Sequence, residues 1–438
     1  MSTTALPVLQ KERIGIIDSM RGVAILGILL MNIPGFAYSL SGWDPTIHHE
    51  AGTVNYYIWY LVRLFPEGTQ RGLFSLLFGA GILLFMRNKE KQHPEITPSD
   101  YFFRRQLWLM FFGLVNIYIF LWDGDILFDY GLYGLFVFIC RLWKPKQLII
   151  AALVCMFLML ARENRDLYLD KKVIHRGLAV EKIDTSVTKL TATQQEFLEE
   201  MTSMRDRAKQ ENRLKRMQTA ESKMLGDYEQ VYTQRTNSYL GHFMQYTYFS
   251  IWDVISLMLL GMAFFKLGIL TGGYSAKFYG LMALIGLTAG LGLSILILKE
   301  WTHYNYNYFE YSKNASISFN DPARILRTLG IFGLLMFLYK MNWVKWFFTL
   351  FRPVGQMAFT NYLTQSIFGC LIFNGIGLGL YGKLPRYQVY EIVLGIWIVQ
   401  IIWSHIWLRY FLYGPFEWVW RQLTYWKKLP IRKIKQPT

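Results

Sequence analysis

Arg13–Asn32 reads RIGIIDSMRGVAILGILLMN. A run of about 20 mainly apolar residues is long enough to cross a bilayer as a helix. This one carries Asp18 and Arg21 in its first turns and Asn32 near its far end. Three residues apart, Asp18 and Arg21 share a helix face and can pair. At headgroup depth such a pair caps the helix and anchors its topology; deeper in the membrane it marks a site. Gly22 and Gly27 on the same segment allow a second helix to approach closely.

The rest of the chain has the same character. Of its 438 residues 53% are hydrophobic and 17% charged, against about 25% charged in soluble domains. The 15 Trp and 28 Tyr suit membrane–water interfaces, where rings with one polar tip settle. The expected fold is an all-α polytopic membrane protein, because lipid leaves few other ways to satisfy the backbone. The net charge of +16 does not imply nucleic-acid binding. The basic residues gather at the ends of apolar runs and in the tail Lys427–Lys435, where they set topology and meet anionic lipid. Cys140, Cys155 and Cys370 lie inside apolar runs without metal-ligand spacing, so no metal is expected. The first segment lacks a small-x-small cleavage site and reads as an uncleaved helix.

About ten transmembrane spans follow from runs of this length: 15–33, 70–86, 104–122, 126–142, 146–161, 247–266, 277–298, 324–341, 356–379 and 388–411. Residues 53–65 are too short and aromatic to span alone, and read as an interfacial piece or the start of a broken helix. Lys and Arg concentrate in alternate connections, from Lys11 and Arg13 through Arg87, Lys89, Arg104 and Arg105 to the C-terminal run. Those connections are expected in the cytoplasm, with both termini. The opposite connections, 34–52, 123–125, 299–322 and 380–387, are poor in Lys and Arg. The chain thus divides into a membrane half (1–161), a charged helical extracytoplasmic insertion (162–245), a second membrane half (246–413) and an interfacial amphipathic helix with a basic tail (414–438).

Within the insertion, Thr193-x-x-Glu196 reads as a capping box. Apolar residues at three–four spacing from Phe197 to Val231 predict one long amphipathic helix, or two with a break near 209–213. This piece is either a lid over an outer cavity, a partner-binding arm, or a helix lying on the bilayer or the core.

Several polar residues are candidates for a site. Arg104 and Arg105, adjacent and beside aromatics, can hold phosphate bidentately. Trp122-Asp123-Gly124-Asp125 forms so short a connection that Asp125 sits at or just inside the membrane surface, as a proton- or substrate-handling group or a helix cap. His48 and His49 follow the first span and can act as a base near neutral pH; His303 and His405 are weaker versions of the same idea. Asn361 and Gln365 share a face of an apolar helix, where unpaired polar groups are expensive. Glu417 and Arg421 are four apart in an aromatic-rich helix after Gly414-Pro415, read as interfacial.

Together these stretches form an ordered set: Ile-Asp-x-x-Arg-Gly in the first span, Leu77–Gly81, the Arg104-Arg105 opening, Gly124–Tyr130, Leu260–Ala263, Met357–Ser366 and Gly414–Arg421. The set resembles the YeiB-like family of bacterial inner-membrane proteins, whose C-terminal half is a domain of unknown function. The N-terminal half also resembles the wider transmembrane acyltransferase group, which passes an acyl chain from cytoplasmic acyl-CoA to an acceptor on the other side. That resemblance implies a CoA-phosphate role for Arg104 and Arg105 and puts Asp18 and Arg21 at the first-span entrance. Met31 stands where the sugar O-acetyltransferases keep histidine. A second branch has asparagine at that position, which here is Met31 followed by Asn32, and takes its base from the following loop, where His48 and His49 lie. Asn116 stands where YeiB-like proteins usually have histidine.

The expected function is a membrane acyltransferase acting on an envelope glycan, lipid or small molecule. His48, His49 or Asp125 would supply the base, and Asp18, Arg21, Asn32, Asn116, Asn361 and Gln365 would contact substrate. A transporter without acyl chemistry is the alternative. An assembly protein recruiting a partner, or a second copy of itself, through 162–245 is a third.

Overall fold

A computed structural model describes residues 14–39, 44–47, 50–90 and 96–433, the side chains of 242 and 244–250 apart. Its named elements are helical, and the one β contact among the described residues is an isolated bridge between Phe411 and Arg432. In order they are α1 (Gly15–Ala37), α2 (Val54–Leu64), α3 (Thr69–Glu90), α4 (Pro98–Tyr118), α5 (Leu127–Phe138), α6 (Pro145–Val180), α7 (Ala192–Ala208) and α8 (Gln210–Met224). They continue with α9 (Tyr228–Lys266), α10 (Ala276–His303), α11 (Tyr308–Asn314), α12 (Asn320–Met341), α13 (Lys345–Gln356), α14 (Ala358–Phe373), α15 (Arg386–Tyr410) and α16 (Pro415–Tyr425). Among the described residues six stretches are long and apolar enough to cross a membrane: α1, α2–α3 together, α6, α10, α12 and α15. The chain is an all-helical, multi-pass membrane protein.

Burial ranks these helices. The apolar window of α1 is 72% buried, those of α10 and α15 only 28% and that of α6 17%. The opening stretch is therefore the most buried post, with α2–α3 next at 67%, while α6, α10 and α15 leave most of their apolar windows uncovered by protein. Small residues make the post accessible. A side chain at Gly22 would run into the Phe351 carbonyl of α13, and one at Gly355 into the Asp18 carbonyl of α1. The α3–α9 crossing repeats the device: Gly79 lies against the Met258 carbonyl and Gly261 against that of Leu76. A backbone carbonyl cannot move aside as a side chain can. Gly261→Val is thus expected to cost stability at the upper end of the roughly 1–3 kcal/mol typical of overpacking. Thermal unfolding of the detergent-solubilised variant measures it.

Several boundaries differ from the sequence reading. The helices that carry the spans expected at 146–161 and 247–266 are longer than those spans: α6 and α9 run on unbroken into the insertion. Between them the insertion holds two helices, broken at Lys209. The capping box is Thr191–Gln194, not Thr193–Glu196: Thr191 Oγ1 accepts from the Gln194 N–H at 3.3 Å and Gln194 Oε1 from the Thr191 N–H at 2.8 Å. The span expected over 356–379 is split. It breaks at Met357 and ends at Phe373, where a glycine-rich turn begins and Gly379 and Gly382 take φ of 63° and 70°, a region glycine enters without steric cost.

Candidate functional site, a charged cavity beneath the insertion helices

The Asn32 end of α1, the start of α3 and the connection between α4 and α5 enclose a cavity of about 730 Å³. Pockets for small ligands run from about 300 to 1,000 Å³. Its roof is α8 and the first turns of α9, both from the insertion. Ion pairs fasten that roof. Arg235 donates to Asp123 Oδ1 at 2.8 Å and to the Gly35 carbonyl at 3.1 Å, and Arg213 pairs with Asp44. The Gly375 N–H donates to the Met224 carbonyl at 2.9 Å, tying the α8–α9 turn to the loop after α14.

The Trp122–Asp125 connection divides its labour. Trp122 stacks on Phe36 with ring centroids 3.8 Å apart, Asp123 takes Arg235, and Asp125 turns inward. Asp125 accepts from Asn116 Nδ2 at 2.7 Å and from the Phe128 N–H at 2.9 Å, with the Tyr362 hydroxyl at 3.5 Å. It is 9% exposed yet forms part of the cavity wall. Burial pushes its carboxyl up to about 7, against the pull of the donated hydrogen bonds. At neutral pH the group can therefore both take and return a proton.

The sequence reading missed the ionic floor. Arg71 of α3 and Arg324 of α12 both line the cavity. They share Asp253 of α9, at 2.6 and 3.3 Å. Arg324 also pairs with Asp321 at 2.6 Å, which Arg162 of α6 approaches at 3.5 Å. Tyr130 meets Ser75 Oγ at 2.6 Å and donates to the Arg71 carbonyl at 3.0 Å. The available signal was Asp253, a lone carboxylate in the apolar run 251–265; such a residue calls for a partner.

The other candidates are dispersed. Asn32 lines the cavity with Met31. Asp18 and Arg21 pair at 3.2 Å at the opposite end of α1, roughly 21 Å away at about 1.5 Å per residue. Asn361 and Gln365 are buried and clamp helices. Asn361 donates to the Val354 carbonyl and Ser404 Oγ, both at 3.1 Å, and accepts from Trp403 at 2.7 Å. Gln365 donates to the Ile25 carbonyl at 3.2 Å and Gln400 Oε1 at 3.0 Å. Arg104 and Arg105 lie outside the cavity, each 4.4 Å from an indole ring, Trp426 and Trp420 respectively. His48 and His49 fall outside the described residues. His405 contacts the Ile401 carbonyl at 2.9 Å within its own helix, and His303 packs on the Tyr304 ring. Among the described residues no three His, Cys, Asp or Glu side chains converge on a metal position.

The two C-terminal motifs meet in one joint. Glu417 Oε1 accepts from the Phe359 and Thr360 N–H groups at 2.7 and 3.0 Å, and Oε2 from the Thr360 hydroxyl at 2.5 Å. Glu417 and Arg421, four apart on α16, do not pair: the first turn of α14 offers this buried carboxylate three donors. Arg421 instead lies 4.5 Å from the Tyr413 ring.

Comparison with known proteins bears on this architecture. The chain is 30% identical to the uncharacterized protein YxaH of Bacillus subtilis (strain 168) over 434 residues, covering 98% of each. It belongs to the YeiB-like family. The uncharacterized protein YeiB of Escherichia coli (strain K12) is 28% identical over 421 residues, covering 94% of this chain and 96% of YeiB. The family model described as protein of unknown function (DUF418) matches residues 264–427. That stretch holds the Glu417–Thr360 joint; the cavity residues of this YeiB-like chain lie mostly before it. No solved structure matches.

Proposed function

We propose that this YeiB-like protein is a membrane acyltransferase of the bacterial inner membrane, with ten spans and both termini in the cytoplasm. The cavity then opens on the extracytoplasmic side and takes the acceptor, a hydroxyl- or amine-bearing glycan, lipid or small molecule. Acyl-CoA is the co-substrate, with its phosphates at Arg104 and Arg105. The residues fit that group. Among the described residues neither guanidinium has a carboxylate at ion-pair distance, so both charges are open to an anion.

The observation that carries this reading is the two-ended polarity of α4. One end bears the arginine pair; the other bears Asn116, which holds the buried Asp125. The two ends lie roughly 16 Å apart along the helix. Acyl-CoA supplies an activated thioester carbonyl. Asp125 takes the acceptor's proton as its oxygen or nitrogen bonds to that carbonyl. The C–S bond breaks and the proton passes to the departing thiolate. Asn116 keeps the carboxylate aimed, and Asn32 faces the acceptor.

Acetyl-CoA or palmitoyl-CoA should raise the Tm of the purified protein, and Arg104→Ala with Arg105→Ala should abolish the shift. No shift with any CoA ester would sink the acyltransferase. The charged, lidded cavity also suits a transporter. Substrate uptake into sealed vesicles, indifferent to CoA, would move the reading there.

A further inference from the structure

We infer that Lys89 and Arg421 complete the anion site that Arg104 and Arg105 begin, and that this four-cation site takes the pyrophosphate of a nucleotide-like ligand. The inference rests on reading Arg104 and Arg105 as anion-binding, but not on acyl transfer.

Shared rings establish the convergence. The Lys89 ammonium lies 5.8 Å from the Phe85 ring, and Arg105 lies 5.1 Å from the same ring. Lys89 also lies 5.8 Å from Tyr101, which Arg104 approaches at 6.0 Å. Tyr425 of α16 closes the group, 4.4 Å from the ammonium and 5.3 Å from Tyr101. Arg421, one turn before Tyr425, is near enough for its charge to act on both Lys89 and Arg105.

Among the described residues, none of Arg104, Arg105 and Arg421 has a carboxylate at ion-pair distance. The acid that the sequence places beside Arg421 is Glu417, and α14 has taken it. Three arginines without a carboxylate, held beside Lys89 by tertiary structure, are stabilised by a polyvalent anion. The rings prepare them for one: a guanidinium lying over an aromatic face keeps its in-plane N–H groups free to grip phosphate bidentately. Lys89 is buried at 0% exposure and supplies a point charge from beneath. Trp426 is 71% exposed beside Arg104 and offers a ring face for a base.

Pyrophosphate chemistry comes from soluble nucleotides or, with similar charge, from anionic lipid headgroups. The test uses the full-length protein in phosphatidylcholine nanodiscs, titrated with ADP and with inorganic pyrophosphate. Arg421→Gln and Lys89→Gln should each weaken ADP roughly ten- to a hundred-fold, the worth of a charged hydrogen bond. Arg421→Lys should fall between, and the exposed Lys428→Gln should match wild type. Native mass spectrometry with cardiolipin forms the lipid arm. Cardiolipin bound with the same Arg421 dependence, and ADP not bound, keeps the phosphate site but assigns it to lipid and removes the nucleotide. Wild-type protein that binds none of the probes, or variants that bind as wild type at unchanged Tm, overturn the inference. The two readings fail separately. ADP binding without acyl transfer would sink only the acyltransferase; acyl transfer with an unchanged CoA KM in Arg421→Gln would sink only the four-cation site.

Discussion

Asp125→Asn is expected to lower acyl transfer by about 10²–10⁴-fold, the range supplied by a positioned general base, while leaving the CoA-dependent rise in Tm intact. The replacement keeps the size of the side chain. Its amide oxygen can still accept from Asn116 or from the Phe128 N–H, so the cavity wall should hold. What disappears is the group that takes the proton. In the wild-type protein the rate should rise with pH toward a plateau above about 7, where burial has pushed this carboxyl, because the ionised form is the base. Stability runs the other way. The folded-state value lies above that of an unfolded Asp, so this group favours folding most below about 4, and its contribution is lost as pH rises through about 7. Asp125→Asn removes that dependence. Asn116→Ala removes a donor that holds the carboxyl down, and should move the rate profile to higher pH. A rate–pH profile unchanged in Asp125→Asn would exclude Asp125 as the base.

The membrane character and the centrality of α1 were legible because both rest on local pattern. The apolar run and Gly22 are visible in 20 residues, and the structure uses Gly22 where the spacing suggests, against α13. Asp125 was legible for the same reason: a connection as short as 123–125 leaves its acid nowhere else to go. The pairing of Arg71 and Arg324 with Asp253 was not, because it joins residues 182 positions apart and periodicity carries no information about which helices meet. That α6 and α9 continue beyond the fifth and sixth spans was not legible for a different reason. Hydropathy reports lipid, not helix, and the polar run Arg162–Lys172 remains helical inside α6. The partner of Glu417 was not legible either, because its four-residue spacing to Arg421 speaks only of their own helix surface. A buried carboxylate responds instead to the strongest donors near it, and those came from α14.

Glu417→Ala tests that last point with the largest expected loss of stability. The carboxylate is 8% exposed and holds three donors at the start of α14. Two are backbone N–H groups with no acceptor inside their own helix. The third, the Thr360 hydroxyl, also accepts from the Phe416 N–H at 3.1 Å, so it stitches α16 to α14 from both sides. Burial pushes the Glu417 carboxyl up, and the donated bonds oppose that shift. Each buried donor left unsatisfied costs about 1–3 kcal/mol, so the alanine variant should lose at least roughly 3 kcal/mol and several degrees of Tm. Glu417→Gln keeps one oxygen for the backbone N–H groups, and its amide can donate to the Thr360 hydroxyl, so most of the stability should remain. The contrast extends to the anion site, because α16 carries Arg421 and Tyr425. Alanine at 417 should weaken ADP binding as well as stability, since it frees the helix that positions those side chains. Glutamine should spare both. If alanine left the Tm and ADP affinity at wild-type values, α16 would be an interfacial helix resting on the bilayer rather than a joint built into the core.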